Sequence, residues 1–136
     1  VLTKPRVAVA LAWLPAVLYM ALIWTISSFA LTDVSVSSFP LGDKGVHFVE
    51  YGVLALLLTH AAFRTWPRHH PLRTASLAVL ITVLWGFVDE IHQGFVPGRS
   101  SEALDLVADT AGAIVGASVR YAMRLVVPRL AAQGER

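Results

Sequence analysis

From Val7 to Leu31 the chain runs 25 residues without a charged side chain. About 20 apolar residues at 1.5 Å each cross the roughly 30 Å of a bilayer's hydrocarbon core, so this run can span with some tilt. Three more apolar segments follow, at 43–63, 72–96 and 104–127. With 56% apolar and only 15% charged residues in 136, a water-soluble domain would lack the polar surface to cover itself. A backbone inside lipid must satisfy its own hydrogen bonds, so the expected fold is all-α, a transmembrane four-helix bundle in one domain over 1–136. Pro15 is a candidate kink in the first span. Ser28-Phe29-Ala30 resembles a signal-peptidase site, but the apolar run exceeds a signal h-region, and an uncleaved span is expected.

The connections are short: a Ser/Pro/Gly linker at 32–42, the polar turn Arg64–Arg73, and Pro97–Ala103. Asp43 and Ser100 or Ser101 are candidate N-caps for the helices that follow. Orientation follows from Lys and Arg. With the N-terminus inside, Lys4, Arg6, Arg64, Arg68, Arg73, Arg120, Arg124, Arg129 and Arg136 fall on the cytoplasmic side, and only Lys44 and Arg99 outside. Both termini are therefore expected in the cytoplasm. This distribution also accounts for the pI near 9.4 without a nucleic-acid partner. The absence of Cys excludes thiolate metal sites, disulfides and a thiol nucleophile.

The acidic residues gather at the other end. Asp43, Glu50, Asp89, Glu90, Asp105 and Asp109 lie near the outer ends of the second, third and fourth segments. Charges inside a span are expensive, roughly 2.5–3.5 kcal/mol each at a helix centre on insertion scales. Glu50, Asp89 and Asp109 each sit about seven residues from the outer end of their segment, roughly 10 Å deep. Asp43, His47, Glu50, Tyr51 and Leu54 recur at helical spacing; Asp89, His92 and Gln93 share a face with Glu90 beside them; Asp105, Asp109, Gly112 and Gly116 form one stripe. The Gly112/Gly116 pair permits close approach of another helix. The expectation is an acidic pocket open to the outer side, with Lys44 and Arg99 at its rim.

Three stretches together resemble the VanZ-like family of small bacterial membrane proteins: Asp43-Lys44-x-x-His47-Phe48-x-x-Tyr51, Asp89-Glu90-x-His92-Gln93-x-x-x-Pro97-Gly98-Arg99, and Ser101-x-x-x-Asp105-x-x-x-Asp109-x-x-Gly112-x-x-x-Gly116. The resemblance covers about residues 7 to 127. One departure is Asp109, where family members often carry Asn. The resemblance implies a multi-span protein of the bacterial cytoplasmic membrane. The family takes its name from a member linked to resistance to the glycopeptide teicoplanin, and the resemblance supports fold and location better than chemistry.

A structural reading makes Asp43 and Ser101 helix caps and Arg99 a partner of Asp105 or Asp89 that locks the outer turn. The leading functional reading is a pocket that binds a lipid-linked cell-wall precursor or related envelope ligand and influences wall assembly or glycopeptide sensitivity. Its residues are Asp43, Lys44, His47, Glu50, Tyr51, Asp89, Glu90, Gln93, Arg99, Asp105 and Asp109, with Arg99 and Lys44 on phosphate. The alternative is a membrane-embedded hydrolase or transferase with Glu90 as acid and His47 or His92 as base. A metal held by His47, Glu50, Asp89, His92 or Asp105 is the weakest form, since no His-Glu-x-x-His spacing occurs, and neither metal nor cofactor is expected. Membrane lipids are expected partners. Oligomeric state stays open. His60, His69 and His70 read as structural or solvated, and Arg120 and Arg124 as side chains snorkelling to the inner surface.

Overall fold

The structure is a computed structural model that describes residues 4–29 and 40–134, with side chains described for 6–29 and 40–126. Four helices follow in order: α1 (Lys4–Ser27), α2 (Asp43–Thr65), α3 (Pro71–Gln93) and α4 (Ala103–Gly134). Most of the first linker, with Ala30 of the cleavage-like triad, lies outside the described residues.

The four expected segments are the four helices, with shifted ends. α1 stops at Ser27 rather than 31, where Ser27 and Ser28 turn their hydroxyls back onto carbonyls one turn earlier. Such back-bonding offers the chain an alternative to helix propagation. α3 stops at Gln93 rather than 96, and α4 continues past 127 to Gly134. Asp43 is the first residue of α2 rather than its cap; Gly42 takes the cap position, with no side-chain hydrogen bond. Pro71 starts α3, where its missing N–H costs nothing.

α1, α2 and α3 are each long and apolar enough to cross a membrane. α4 is the longest helix, and its apolar stretch carries Asp105 and Asp109 at one end and Arg120 and Arg124 at the other. Polar groups share the bundle interior with apolar clusters around Leu54 and Leu58 and around Ala113. Asp89, Gln93, Asp105, Asp109, Thr59 and Thr82 are among its most deeply buried side chains. Leu11, Leu14, Val17 and Leu18 of α1, Leu80, Leu84 and Phe87 of α3, and Val107, Ile114 and Val119 of α4 face outward. Continuous apolar exposure around a polar interior suits lipid as the surrounding solvent.

α2 is the central helix. It packs most extensively on α4, and α3 covers the groove between them. The α2–α4 approach is backbone to backbone: a Cβ at Gly116 would overlap the carbonyl of Gly52, and one at Gly112 the carbonyl of Phe48. The sequence marks Gly112 and Gly116 for this contact; Gly52 is its unmarked counterpart on α2. α1 lies against α2, touches α3 slightly and does not reach α4 among the described residues.

The helices alternate in direction, which gives the bundle two chemically distinct ends. At one end, Trp13 Nε1 donates to Thr65 Oγ1 at 2.8 Å and meets Trp66 edge-on. There Arg120 Nε lies 3.3 Å from His60 Nδ1, Arg124 Nη2 donates to Pro67 O at 2.8 Å, and both guanidinium groups lie over the Phe63 ring. The carboxylates occupy the other end.

Candidate functional site

Two adjoining polar groups form at the acidic end, one where α1 and α3 meet beside α2 and the other between α2, α3 and α4. The first centres on Asp89. Ser27 Oγ donates to its Oδ1 at 2.5 Å, and Gln93 Nε2, one turn along α3, donates to its Oδ2 at 2.8 Å. Both carboxylate oxygens are thus satisfied, from two helices. Asp89 faces α1 and α2 because it lies one turn before Gln93, and Ser27 sits at the last turn of α1.

The second group lies between α2, α3 and α4. His47 and Tyr51 are one turn apart on α2, Gly86 and Glu90 on α3, and Asp105 and Asp109 on α4, so each pair forms a stripe. His47 Nδ1 stands 2.9 Å from Asp109 Oδ1, with both side chains buried. The His47 and Tyr51 rings are parallel at 6.2 Å. Gly86 makes room for Asp109: a Cβ there would lie 2.8 Å from Asp109 Oδ2 and 3.1 Å from the Tyr51 ring. Glu90 Oε2 accepts from Ser101 Oγ at 3.2 Å and from the Glu102 backbone N–H at 2.9 Å. Its Oε1, the Asp109 Oδ2 and the Tyr51 hydroxyl are buried with no partner among the described residues.

The rim cations behave differently from one another. Lys44 Nζ lies 2.5 Å from Asp105 Oδ1, off the angle of a good hydrogen bond, and 2.6 Å from Glu102 Oε2. The hydrogen bond from Lys44, then its charge, hold the Glu102 carboxyl below its usual range. Arg99 forms no ion pair with a carboxylate among the described residues; its nearest polar contact is the Phe29 carbonyl at 3.5 Å. The pairing of Arg99 with Asp89 or Asp105 expected from a purely structural reading does not form: Lys44 has taken Asp105, and Ser27 with Gln93 has taken Asp89. Gly98 has φ +81°, a conformation suited to glycine, and Arg99 N–H donates to Val96 O at 3.1 Å. This turn carries Arg99 back over the bundle end.

A cleft opens between these groups, lined by Ser27, Asp43, His47, Glu50, Asp89, Gln93 and Arg99 with Ile23, Ile26 and Val46. About 20 Å³ of it is open to the centre of a water molecule. That is room for about one water. The open acidic pocket expected from the sequence is therefore a tightly filled polar junction.

Of the residues singled out from the sequence, Asp43, His47, Glu50, Asp89, Gln93 and Arg99 come together at the cleft. Lys44, Asp105, Glu90 and Asp109 lie in the adjoining network, and Tyr51 is wholly buried behind His47. His92 stands apart. Its ring stacks on Trp24 with centroids 3.9 Å apart, and its Nε2 is 3.5 Å from Ser28 Oγ. Sequence reasoning missed Ser27, Gly86 and the Glu102 N–H. Ser27 carried one usable signal, a small hydroxyl at the acidic end of a charge-free span. The other two depend on which helix lies opposite.

Residues 9–124 match the model of the family described as VanZ/LLP1. No curated protein and no solved structure matches the chain.

Proposed function

The chain belongs to the VanZ/LLP1 family, and on that footing we propose that it is a four-span protein of the bacterial cytoplasmic membrane that holds the head group of a lipid-linked envelope precursor at its outward polar cleft. The N- and C-termini lie in the cytoplasm, and occupancy of the cleft influences wall assembly and sensitivity to glycopeptides such as teicoplanin. The observation that carries this reading is Arg99, a guanidinium without a carboxylate partner among the described residues, held by a glycine turn at the mouth of a cleft lined with hydrogen-bonding groups. A planar fork of donors in that state favours a phosphate. The small volume limits what enters. A phosphate oxygen or a sugar hydroxyl fits between Arg99, Glu50, His47 and Gln93, while the rest of the head group stays outside and the lipid chains run along the apolar flanks.

Binding is measured with purified protein in nanodiscs and a lipid-linked wall precursor, against uncharged lipid as control. Arg99→Ala should weaken binding at least tenfold, and Arg99→Lys should recover only part of it. Equal affinity for wild type and Arg99→Ala would remove the basis of the reading.

A second reading rests on the buried His47–Asp109 pair, 2.9 Å apart, beside the half-satisfied Glu90. A carboxylate that orients an imidazole, next to another acid, is an arrangement used for proton transfer. On this reading the protein is a hydrolase or transferase acting on the same lipid-linked substrate. Incubation with the precursor separates the two: binding leaves it chemically intact, whereas turnover abolished by Glu90→Gln or His47→Ala assigns an enzyme.

A further inference from the structure

At the junction of α2, α3 and α4 buried carboxylate oxygens go without a donor among the described residues, and the buried Tyr51 hydroxyl bonds to none of them. Lys44 is committed to Asp105 and Glu102, and the two oxygens of Asp89 are bonded by Ser27 and Gln93. Glu90 and Asp109 are each at least nine-tenths buried, with 5% and 0% of their surface exposed. Yet Glu90 Oε1 and Asp109 Oδ2 have no hydrogen-bond partner among the described residues. A buried carboxylate oxygen without a partner is costly, so such atoms point to a missing positive group or donor.

The two unsatisfied carboxylates come from facing helices, and His47 joins them from a third. His47, Glu90 and Asp109 each offer a ligand atom, and those atoms all lie within 4.8 Å of one another. From this geometry we propose that His47, Glu90 and Asp109 form a binding site for one divalent transition-metal ion, Zn²⁺ or Mn²⁺. One imidazole and two carboxylates, without thiolate, suit these ions, whereas Mg²⁺ and Ca²⁺ prefer oxygen alone. The surroundings support the carboxylates as ligands. Ser101 and the Glu102 N–H hold Oε2 of Glu90 and leave Oε1 free, as outer-sphere donors commonly hold ligating carboxylates. Gly86 gives Asp109 Oδ2 the space that any side chain would fill.

A neighbouring set, Asp43, His47 and Asp105, is equally compact. It is the poorer site, because Lys44 already neutralises Asp105 at 2.5 Å. The metal set weighed from the sequence shares His47 with both groups and Asp105 with the second; Glu90 and Asp109 join His47 only through the packing of three helices. The metal site shares His47 with the head-group cleft, but its two carboxylates, Glu90 and Asp109, lie outside the cleft lining. Arg99 is no part of it, and the two fail separately.

The test uses full-length protein purified in detergent, stripped with chelator, then titrated with Zn²⁺, Mn²⁺, Mg²⁺ or Ca²⁺. Affinity is read by calorimetry, and stoichiometry by elemental analysis after desalting. We expect about one Zn²⁺ or Mn²⁺ per chain, with Mg²⁺ and Ca²⁺ at least tenfold weaker. Glu90→Gln and Asp109→Asn should each lower affinity at least tenfold, and Arg99→Ala should leave it unchanged. Should either variant fail to fold, Co²⁺ added to the wild-type protein reads the ligands directly. A visible spectrum of a low-symmetry site with a nitrogen ligand supports the proposal, and a hexa-aqua spectrum overturns it. Absence of a stoichiometric ion, or equal affinity in folded Glu90→Gln and Asp109→Asn, also overturns it.

Discussion

Each polar side chain at the acidic end is worth what its partner makes it worth. Removing the imidazole in His47→Ala leaves Asp109 buried opposite a void, and breaking a buried pair costs roughly 3–5 kcal/mol. Asp109→Asn should cost less, because an amide oxygen still accepts from His47. Thermal unfolding in detergent should therefore rank His47→Ala well below Asp109→Asn, and equal midpoints would mean that the pair contributes little. Ser27→Ala removes the α1 bond to Asp89, and a hydrogen bond to a charged group contributes about 1.5–3 kcal/mol. A loss of that order, absent in Ser28→Ala, is the expected result. Glu102 behaves differently, being exposed and paired with Lys44. Its folded-state pKa is lowered, so the stabilisation it gives is present above the ordinary carboxylate pKa and fades as pH falls through the lowered value. Lys44→Met should move the Glu102 titration, followed by carboxyl NMR, back up toward the model-peptide position.

Between helices, the α2–α4 contact decides whether the polar groups meet at all. Gly52, Gly112 and Gly116 bring the two backbones together below His47 and Asp109. Gly116→Ala must push α2 and α4 apart, since the clash is with backbone rather than with a movable side chain. Overpacking of this kind costs typically 1–3 kcal/mol. It should also lengthen the His47–Asp109 separation and weaken ligand binding at the cleft. Val115→Ala, on the lipid-facing side of the same helix, should do neither. Comparable unfolding midpoints for the two variants would contradict the role assigned to the glycines. The Gly112-xxx-Gly116 spacing announced a close contact, but only the assembled bundle identifies Gly52 and Phe48 as the backbone it meets.

Taken whole, the molecule separates its charges by end. Arg120 and Arg124 of α4 lie over Phe63 at one end, whereas Lys44 and Arg99 stand at the end of the carboxylates. If the positive-inside bias sets orientation, cysteine at Arg99 should react with an impermeant thiol reagent in intact cells. Cysteine at Arg68 should react only after permeabilisation. The protein has no native cysteine to confuse the result. The opposite labelling pattern would invert the bundle and place the cleft in the cytoplasm. Because positions 68 and 99 flank α3, the same experiment reports whether α3 spans.

The apolar runs, their lengths and the polar punctuation between them were enough to define four helices and the end at which the acids gather. These are properties of single segments, fixed by hydrophobic length and by the spacing of side chains around one helix. The motifs spread over three of those segments were enough to indicate the family. The division of the acids into partners was not legible there. Ser27 and Gln93 satisfy Asp89, Lys44 neutralises Asp105, and Glu90 and Asp109 keep unpaired oxygens beside His47. Those assignments depend on which helices touch and at what height, and that was decided by the glycine contact between α2 and α4, with α3 laid over them. Tertiary packing also closed the expected pocket to a cleft with room for about one water, because side chains from α1, α2, α3 and the turn after α3 fill the space that any one helix would leave open.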